Sequence, residues 1–265
     1  MNRLLLVIIL LLAFTVACGK AAQARQSAAR PITEASLTTE TGCGQPFTKG
    51  LTSDTLASGG ADRTYRLFVP SSYDPNQPAA LVLNFHGFGG SGRQQETNSH
   101  MTDEAERSGF ITVAPDGTES PRRWHIYGRL ENGYDEDFAF VRELIGHLSA
   151  SLCIDSGRVY AAGMSNGAGM SSLLGCELND LIAAIAPVAG TVVPRCPDGR
   201  PVPVIAFHGT DDRLVPFEGG PSGRLGLPGR GVRVNVRQWA SHNGCDLTVT
   251  SQRVAADVLL ESYGG

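Results

Sequence analysis

Six short apolar runs punctuate the chain: Thr64 to Val69, Leu81 to Phe85, Ile111 to Ala114, Arg158 to Ala162, Ile182 to Val188 and Val202 to Phe207. They are rich in Val, Ile and Phe, most stop at Gly, Pro or Asp, and helix-like stretches separate several of them. Runs this apolar predict strands buried on both faces. Their alternation with helices predicts an α/β domain with a mostly parallel central sheet and helices on both faces. The clearest helix runs from Asp137 to Leu152. Its Phe138, Val141, Leu144, Ile145, Leu148 and Leu152 recur at the i, i+3, i+4, i+7 spacing, while Arg142 and Glu143 project elsewhere, so one face should pack on the sheet. Glu218 to Gly231, dense in Gly, Pro and Arg, predicts an irregular loop beside the site, and Val232 to Ser241 a short returning helix.

The N-terminus reads differently. Met1-Asn2-Arg3 precedes an apolar core from Leu4 to Phe14, too short to span a bilayer comfortably, which is the pattern of an export signal. Thr15-Val16-Ala17-Cys18 resembles a bacterial lipobox, with Thr15 where Leu is more usual, and this predicts a signal peptide over 1–17 and lipidation of Cys18. An ordinary signal peptide cut after a nearby alanine is the alternative. Residues 18–40, mostly Ala, Gln, Arg, Ser and Thr, lack apolar periodicity and read as a flexible tether. Residues 41–265 then form one domain, of a length that α/β folds often reach undivided.

A formal net charge of -4 and a pI near 5.9 supply no basic field for nucleic acid, so membrane attachment would rest on a lipidated Cys18. Outside the cytoplasm thiols oxidise, and Cys43, Cys153, Cys176, Cys196 and Cys245 read first as a disulfide set. Five is odd and spacing does not fix connectivity; the guesses Cys176 with Cys196 and Cys43 with Cys153 do not place Cys245. No C-x-x-C or clustered Cys/His spacing suggests a metal site, and no organic cofactor is implied.

Chemistry concentrates where strands end. Gly163-Met164-Ser165-Asn166-Gly167 lies between the run Arg158 to Ala162 and a helix starting near Asn166. At a strand-to-helix turn, G-x-S-x-G is the nucleophile elbow of an α/β-hydrolase fold. The strained turn lifts the serine hydroxyl above the sheet, and the following helix N-terminus faces the charge that develops on a carbonyl oxygen. A solvent-facing serine in a Gly-rich turn is the bland alternative, and the flanking strand and helix argue against it. His86-Gly87-Phe88-Gly89-Gly90 follows Leu81 to Phe85 as an analogue of the HGGG loop. The backbone N–H groups of Phe88 and Asn166 are therefore the expected oxyanion hole. His86 reads as a hydrogen-bonding residue of its loop rather than a base. The run Val202 to Phe207 delivers His208-Gly209-Thr210-Asp211-Asp212, where two aspartates compete for the acid of a triad.

Asn84-Phe85-His86-Gly87, Ala114-Pro115-Asp116-Gly117, Asp137-Phe138-Ala139-Phe140, Gly163-Met164-Ser165-Asn166-Gly167, Ala186-Pro187-Val188-Ala189-Gly190 and His208-Gly209-Thr210-x-Asp212-x-x-Val215-Pro216 together resemble the polyhydroxybutyrate depolymerase and feruloyl esterase group of α/β-hydrolases. The motifs occur in that family's order and cover nearly all of Thr64 to Cys245. The resemblance implies that Ser165 is the nucleophile, that Asp212 rather than Asp211 is the acid, and that Trp124 and the Gly/Pro loop border the substrate pocket. It places the catalytic histidine beyond a further cysteine, after Gly265, and so implies a chain cut short before its base; His242, at a surface-helix end, and His208, beside Asp212, are not assigned that role. The implied substrate is an ester, either a hydroxyalkanoate polyester or a feruloyl or acetyl ester of cell-wall polysaccharide. Competing readings are a non-catalytic binding lipoprotein of the same fold and a secreted serine peptidase.

Overall fold

The structure is a computed structural model that describes residues 42–127, 133–193, 196, 199–221 and 228–264. The expected signal peptide, the Cys18 lipidation site and the tether lie outside the described residues.

Six strands form the central sheet: β1 (Gly50–Ser58), β2 (Ala61–Val69), β3 (Ala79–Phe85), β4 (Ile111–Pro115), β5 (Ile154–Met164) and β6 (Ala184–Val188), in the order β1-β2-β4-β3-β5-β6. β1 and β2 pair antiparallel and β2 joins β4 antiparallel, whereas β4, β3, β5 and β6 run parallel. The parallel strands are the apolar ones because both of their faces are covered: every residue of β4 and the last five of β3 are buried. At the sheet edge, β1 is mostly exposed, and its polar sequence gives no apolar run to read.

Helices α1 (Gly92–Ser99), α2 (Met101–Ser108), α3 (Tyr134–Ser151), α4 (Asn166–Glu177) and α5 (Val232–His242) complete the layers. The Ser91 hydroxyl caps α1 by accepting from the Gln94 N–H at 3.2 Å. In α3 the expected apolar stripe is buried, and so are Asp137 and Phe140. The second pair faces a polar neighbour, since the Arg63 guanidinium lies 4.0 Å from the Phe140 ring centroid and bonds Asp137.

Val202 to Phe207 runs parallel beside β6, but only through the bridges Ile185↔Val204 and Val188↔Phe207. Ile205 and Phe207 donate to Ile185 and Pro187 at 3.0 Å. Pro187, between the two bridges, has no N–H to give to this segment, which interrupts the ladder there. In the stretch expected as a Gly/Pro loop, Gly220–Pro221 (β7) and Pro228–Gly229 (β8) form a minimal antiparallel pair, and residues 222–227 lie outside the described residues. Beyond α5, β9 (Val249–Ala255) and β10 (Val258–Tyr263) form a largely exposed hairpin outside the central sheet. The Arg233 guanidinium, which donates to Glu261 at 2.9 to 3.1 Å, joins the hairpin to α5.

Two disulfides, Cys43–Cys153 and Cys176–Cys196, close separations of 110 and 20 residues, the two pairings guessed from the sequence. Among the described residues no helix is long and apolar enough to cross a membrane.

Candidate active site

Ser165 sits between β5 and α4 with φ 55° and ψ -113°, a conformation that an L side chain adopts only under constraint. The constraint is close crossing of backbone. A Cβ on Gly163 would lie 2.3 Å from the Gly167 carbonyl oxygen, and one on Gly167 would lie 2.2 Å from that of Phe85. Only glycine fits at either position. From below, Ser165 N–H donates to Val188 O at 2.9 Å, and its carbonyl accepts from Gly169 N–H at 3.1 Å. The turn is thus fixed on both sides while Ser165 itself stays partly exposed.

The loop after β3 reaches the same turn. A Cβ on Gly87 would stand 3.6 Å from Ser165 Cβ, so this loop lies in van der Waals reach of the nucleophile. Asn166 N–H opens α4, where the first N–H groups have no intrahelical partner. Among the described residues, neither Phe88 N–H nor Asn166 N–H is given to a protein acceptor. Asn166 follows Ser165 directly, and Phe88 follows the Gly87 that approaches it.

Asp212 lies two strands across from β5, after the segment that pairs Phe207 with Val188. Its Oδ1 accepts from Leu214 N–H at 2.8 Å and from Val215 N–H at 2.9 Å. These bonds fix the carboxylate through Oδ1. The buried His208 ring approaches Oδ2 at 3.4 Å through Nε2, but that N–H has a better acceptor in Val215 O at 2.8 Å. His208 therefore belongs to the loop that shapes Asp212. Asp211 contributes none of these bonds.

The chain has six histidines, and none is hydrogen-bonded to the Ser165 hydroxyl among the described residues. His86 and His208 bond backbone, His100 meets Asp103, His125 lies between Asp137 and Glu119, and the rings of His147 and His242 stand edge-on to Tyr65 and Trp239.

Trp124, expected to border the substrate pocket, is fully buried, with its ring edge-on to Phe85 at 5.0 Å. Its N–H donates to Asn166 Oδ1 at 2.7 Å, its carbonyl accepts from Asn166 Nδ2 at 3.0 Å, and its indole N–H donates to His86 O at 3.1 Å. The sequence reading missed both this contact and the cluster beneath it. Asp137 accepts from Arg63 at 3.0 Å and from the backbone N–H and Nδ1 of His125 at 3.0 and 2.9 Å. On the surface side, Arg123 and then His125 hold the Glu119 carboxylate down to about 2. Among the exposed side chains on the segments that carry Ser165, the loop after β3 and Asp212 are three large apolar ones, Phe88, Met164 and Leu214.

A mostly parallel sheet covered by helices, with a strained serine between β5 and α4 and an aspartate on a later strand end, defines an α/β-hydrolase. The solved acetyl xylan esterase from Aspergillus awamori superposes with a TM-score of 0.60 at 15% identity, covering 79% of this chain and 91% of that one. A structure described as a thermostable esterase gives 0.53 at 23% identity, over 73% and 52%. Within that fold, the model of the family described as Esterase PHB depolymerase matches residues 63–198, and the chain belongs to this family.

The chain is 35% identical over 187 residues to feruloyl esterase B of Piromyces equi, covering 66% of this chain and 34% of that protein. To the probable feruloyl esterase C of Aspergillus oryzae it is 30% identical over 194 residues, covering 71% and 64%. It therefore spans from about a third to just under two thirds of the length of these two relatives.

Proposed function

We propose that the chain is a carboxylic ester hydrolase working through an acyl-Ser165 intermediate. The carrying observation is the φ of 55° at Ser165, held by glycines that tolerate no Cβ. Ser165 Oγ attacks the ester carbonyl, and the N–H groups of Phe88 and Asn166 receive the oxyanion. The alcohol leaves, and water then hydrolyses the acyl group from Ser165. The hydroxyl proton requires an imidazole, and Asp212 Oδ2 is the atom that would orient one.

The exposed Phe88, Met164 and Leu214 offer an acyl group an apolar rim. Together with the names of the relatives, this supports a feruloyl- or acetyl-type ester of cell-wall polysaccharide over a hydroxyalkanoate polyester. Trp124 supports the elbow from behind in this reading. The two disulfides and the apolar N-terminal run support an exported protein, with Cys18 lipidation as its form of attachment in this reading.

A fluorophosphonate probe followed by peptide mapping should label Ser165 in the wild type and nothing in Ser165→Ala. Turnover of methyl ferulate and p-nitrophenyl acetate should exceed that of Ser165→Ala and rise with added imidazole. A wild type that neither labels nor exceeds Ser165→Ala, with imidazole present, would sink the proposal.

A further inference from the structure

The two oxyanion donors belong to segments far apart in sequence, and one buried chain of hydrogen bonds joins them. At one end, the Asn166 amide is paired with both main-chain groups of Trp124, at 2.7 and 3.0 Å. In the middle, the Trp124 indole N–H reaches His86 O at 3.1 Å. At the other end, the His86 ring accepts from Gly117 N–H through Nε2 at 2.9 Å, which leaves Nδ1 as its N–H and lets it donate to Gly87 O at 2.7 Å. Gly87 O also accepts from Gly90 N–H at 3.0 Å. In a trans peptide the carbonyl and the N–H point to opposite sides. Anchoring Gly87 O inward therefore aims the Phe88 N–H outward, and clasping the Asn166 side chain fixes the residue that carries the second donor. Trp124, Asn166 and His86 are 0%, 9% and 1% exposed, so water does not compete for these bonds.

We propose that Trp124 is the positioning residue of the oxyanion hole, setting the separation of the Phe88 and Asn166 N–H groups through its main chain on one side and its indole N–H on the other. This rests on the esterase reading and deepens it. Misplaced donors lose transition-state stabilisation while ground-state binding of the ester is spared.

Trp124→Phe keeps an aromatic ring in the buried site and removes the indole N–H together with the five-membered ring that carries it. Its kcat for p-nitrophenyl acetate, measured with imidazole present and well below its melting temperature, should fall about 10- to 100-fold, less than the loss of a whole donor. KM should stay within about twofold, and affinity for a phenylboronic acid that forms a tetrahedral adduct on Ser165 should fall by the same factor as kcat. A residue that merely supported the fold would not link those two losses.

Asn166→Asp gives a second handle should Trp124→Phe not fold. The new carboxyl can donate to Trp124 O only when protonated, so activity relative to wild type should recover as pH falls. Wild-type kcat in Trp124→Phe, or a fall in kcat without a matching fall in boronate affinity, would overturn the proposal, as would a pH-independent ratio for Asn166→Asp. An inert wild type would instead overturn the esterase reading, and this inference with it.

Discussion

The Arg63–Asp137 pair offers the sharpest test of how the site is held from below. Arg63 Nη2 donates to Asp137 Oδ1 at 3.0 Å with the side chains 6% and 1% exposed, so both charges have left water. Truncating one member strands the other. Asp137→Ala should cost about 3–5 kcal/mol, because Arg63 keeps its charge without its carboxylate and the two His125 donors lose their acceptor. For a domain of this size that is about 6–20 °C in Tm and a large share of the usual 5–15 kcal/mol. The exposed Arg142–Asp180 pair, with side chains 48% and 56% open, provides the contrast, and Arg142→Ala should cost under about 1 kcal/mol. The double variant Arg63→Met with Asp137→Leu should regain much of the loss, since an apolar pair of similar volume removes both desolvation penalties. Urea unfolding under non-reducing conditions measures all four proteins. A loss below about 1 kcal/mol for Asp137→Ala, or a double variant no more stable than Asp137→Ala, would refute the reasoning.

Asp212→Asn keeps an oxygen for the Leu214 and Val215 N–H groups, so Tm should stay within a few degrees while imidazole-supported ester turnover falls by about four orders of magnitude. Gly167→Ala would drive a Cβ to 2.2 Å from Phe85 O, and fluorophosphonate labelling of Ser165 should be lost even in soluble protein. Burial holds the His86 imidazole below its ordinary value, against the raising effect of its bond to Gly87. The unfolded chain therefore binds the proton first, and stability that is present above about pH 6.5 is lost as pH falls towards the folded-state pKa. The wild-type unfolding free energy should decline below pH 6.5 more steeply than that of His86→Gln, and parallel slopes would count against the assignment. Removing Cys43–Cys153 with paired Cys→Ala changes should cost about 2–5 kcal/mol in urea unfolding, because it frees a separation of 110 residues in the unfolded chain.

What the sequence shows of the fold follows burial. β3, β4 and α3 are legible because covered faces demand continuous apolar runs or a helical stripe, and β2, β5 and β6 because every second residue of their apolar stretches is buried. β1 is an edge strand of mixed polarity, and the β9–β10 hairpin has almost no buried face, so neither writes a pattern into its residues. α1 is polar throughout, with only Gly92 and Gln95 buried, and its signal is the Ser91 cap rather than periodicity. The segment Val202 to Phe207 reads as a strand by composition but pairs sparsely, because proline removes a donor at a paired position.

The site divides in the same way. Ser165 and the two glycines around it are local: the strain and the backbone crossing lie within one turn, so five residues in a row announce them. The role of Trp124 depends on partners 38 and 42 residues away, and nothing adjacent to it in sequence shows that its indole N–H turns inward. The Arg63–Asp137 pair spans 74 residues, yet it does leave a trace. In β2 the buried positions alternate as Arg63, Tyr65, Leu67 and Val69, which puts a cation in a core register. In α3, Asp137 shares the buried face of Val141, Leu144 and Leu148 at helical spacing, which puts an anion in another. Buried charges persist in such registers only when paired, and a strand and a helix of one domain that each point a single opposite charge inward are each other's nearest solution. Read that way, periodicity locates the ion pair beneath the active site by the positions where the apolar pattern is broken, just as it locates the core by the positions where the pattern holds.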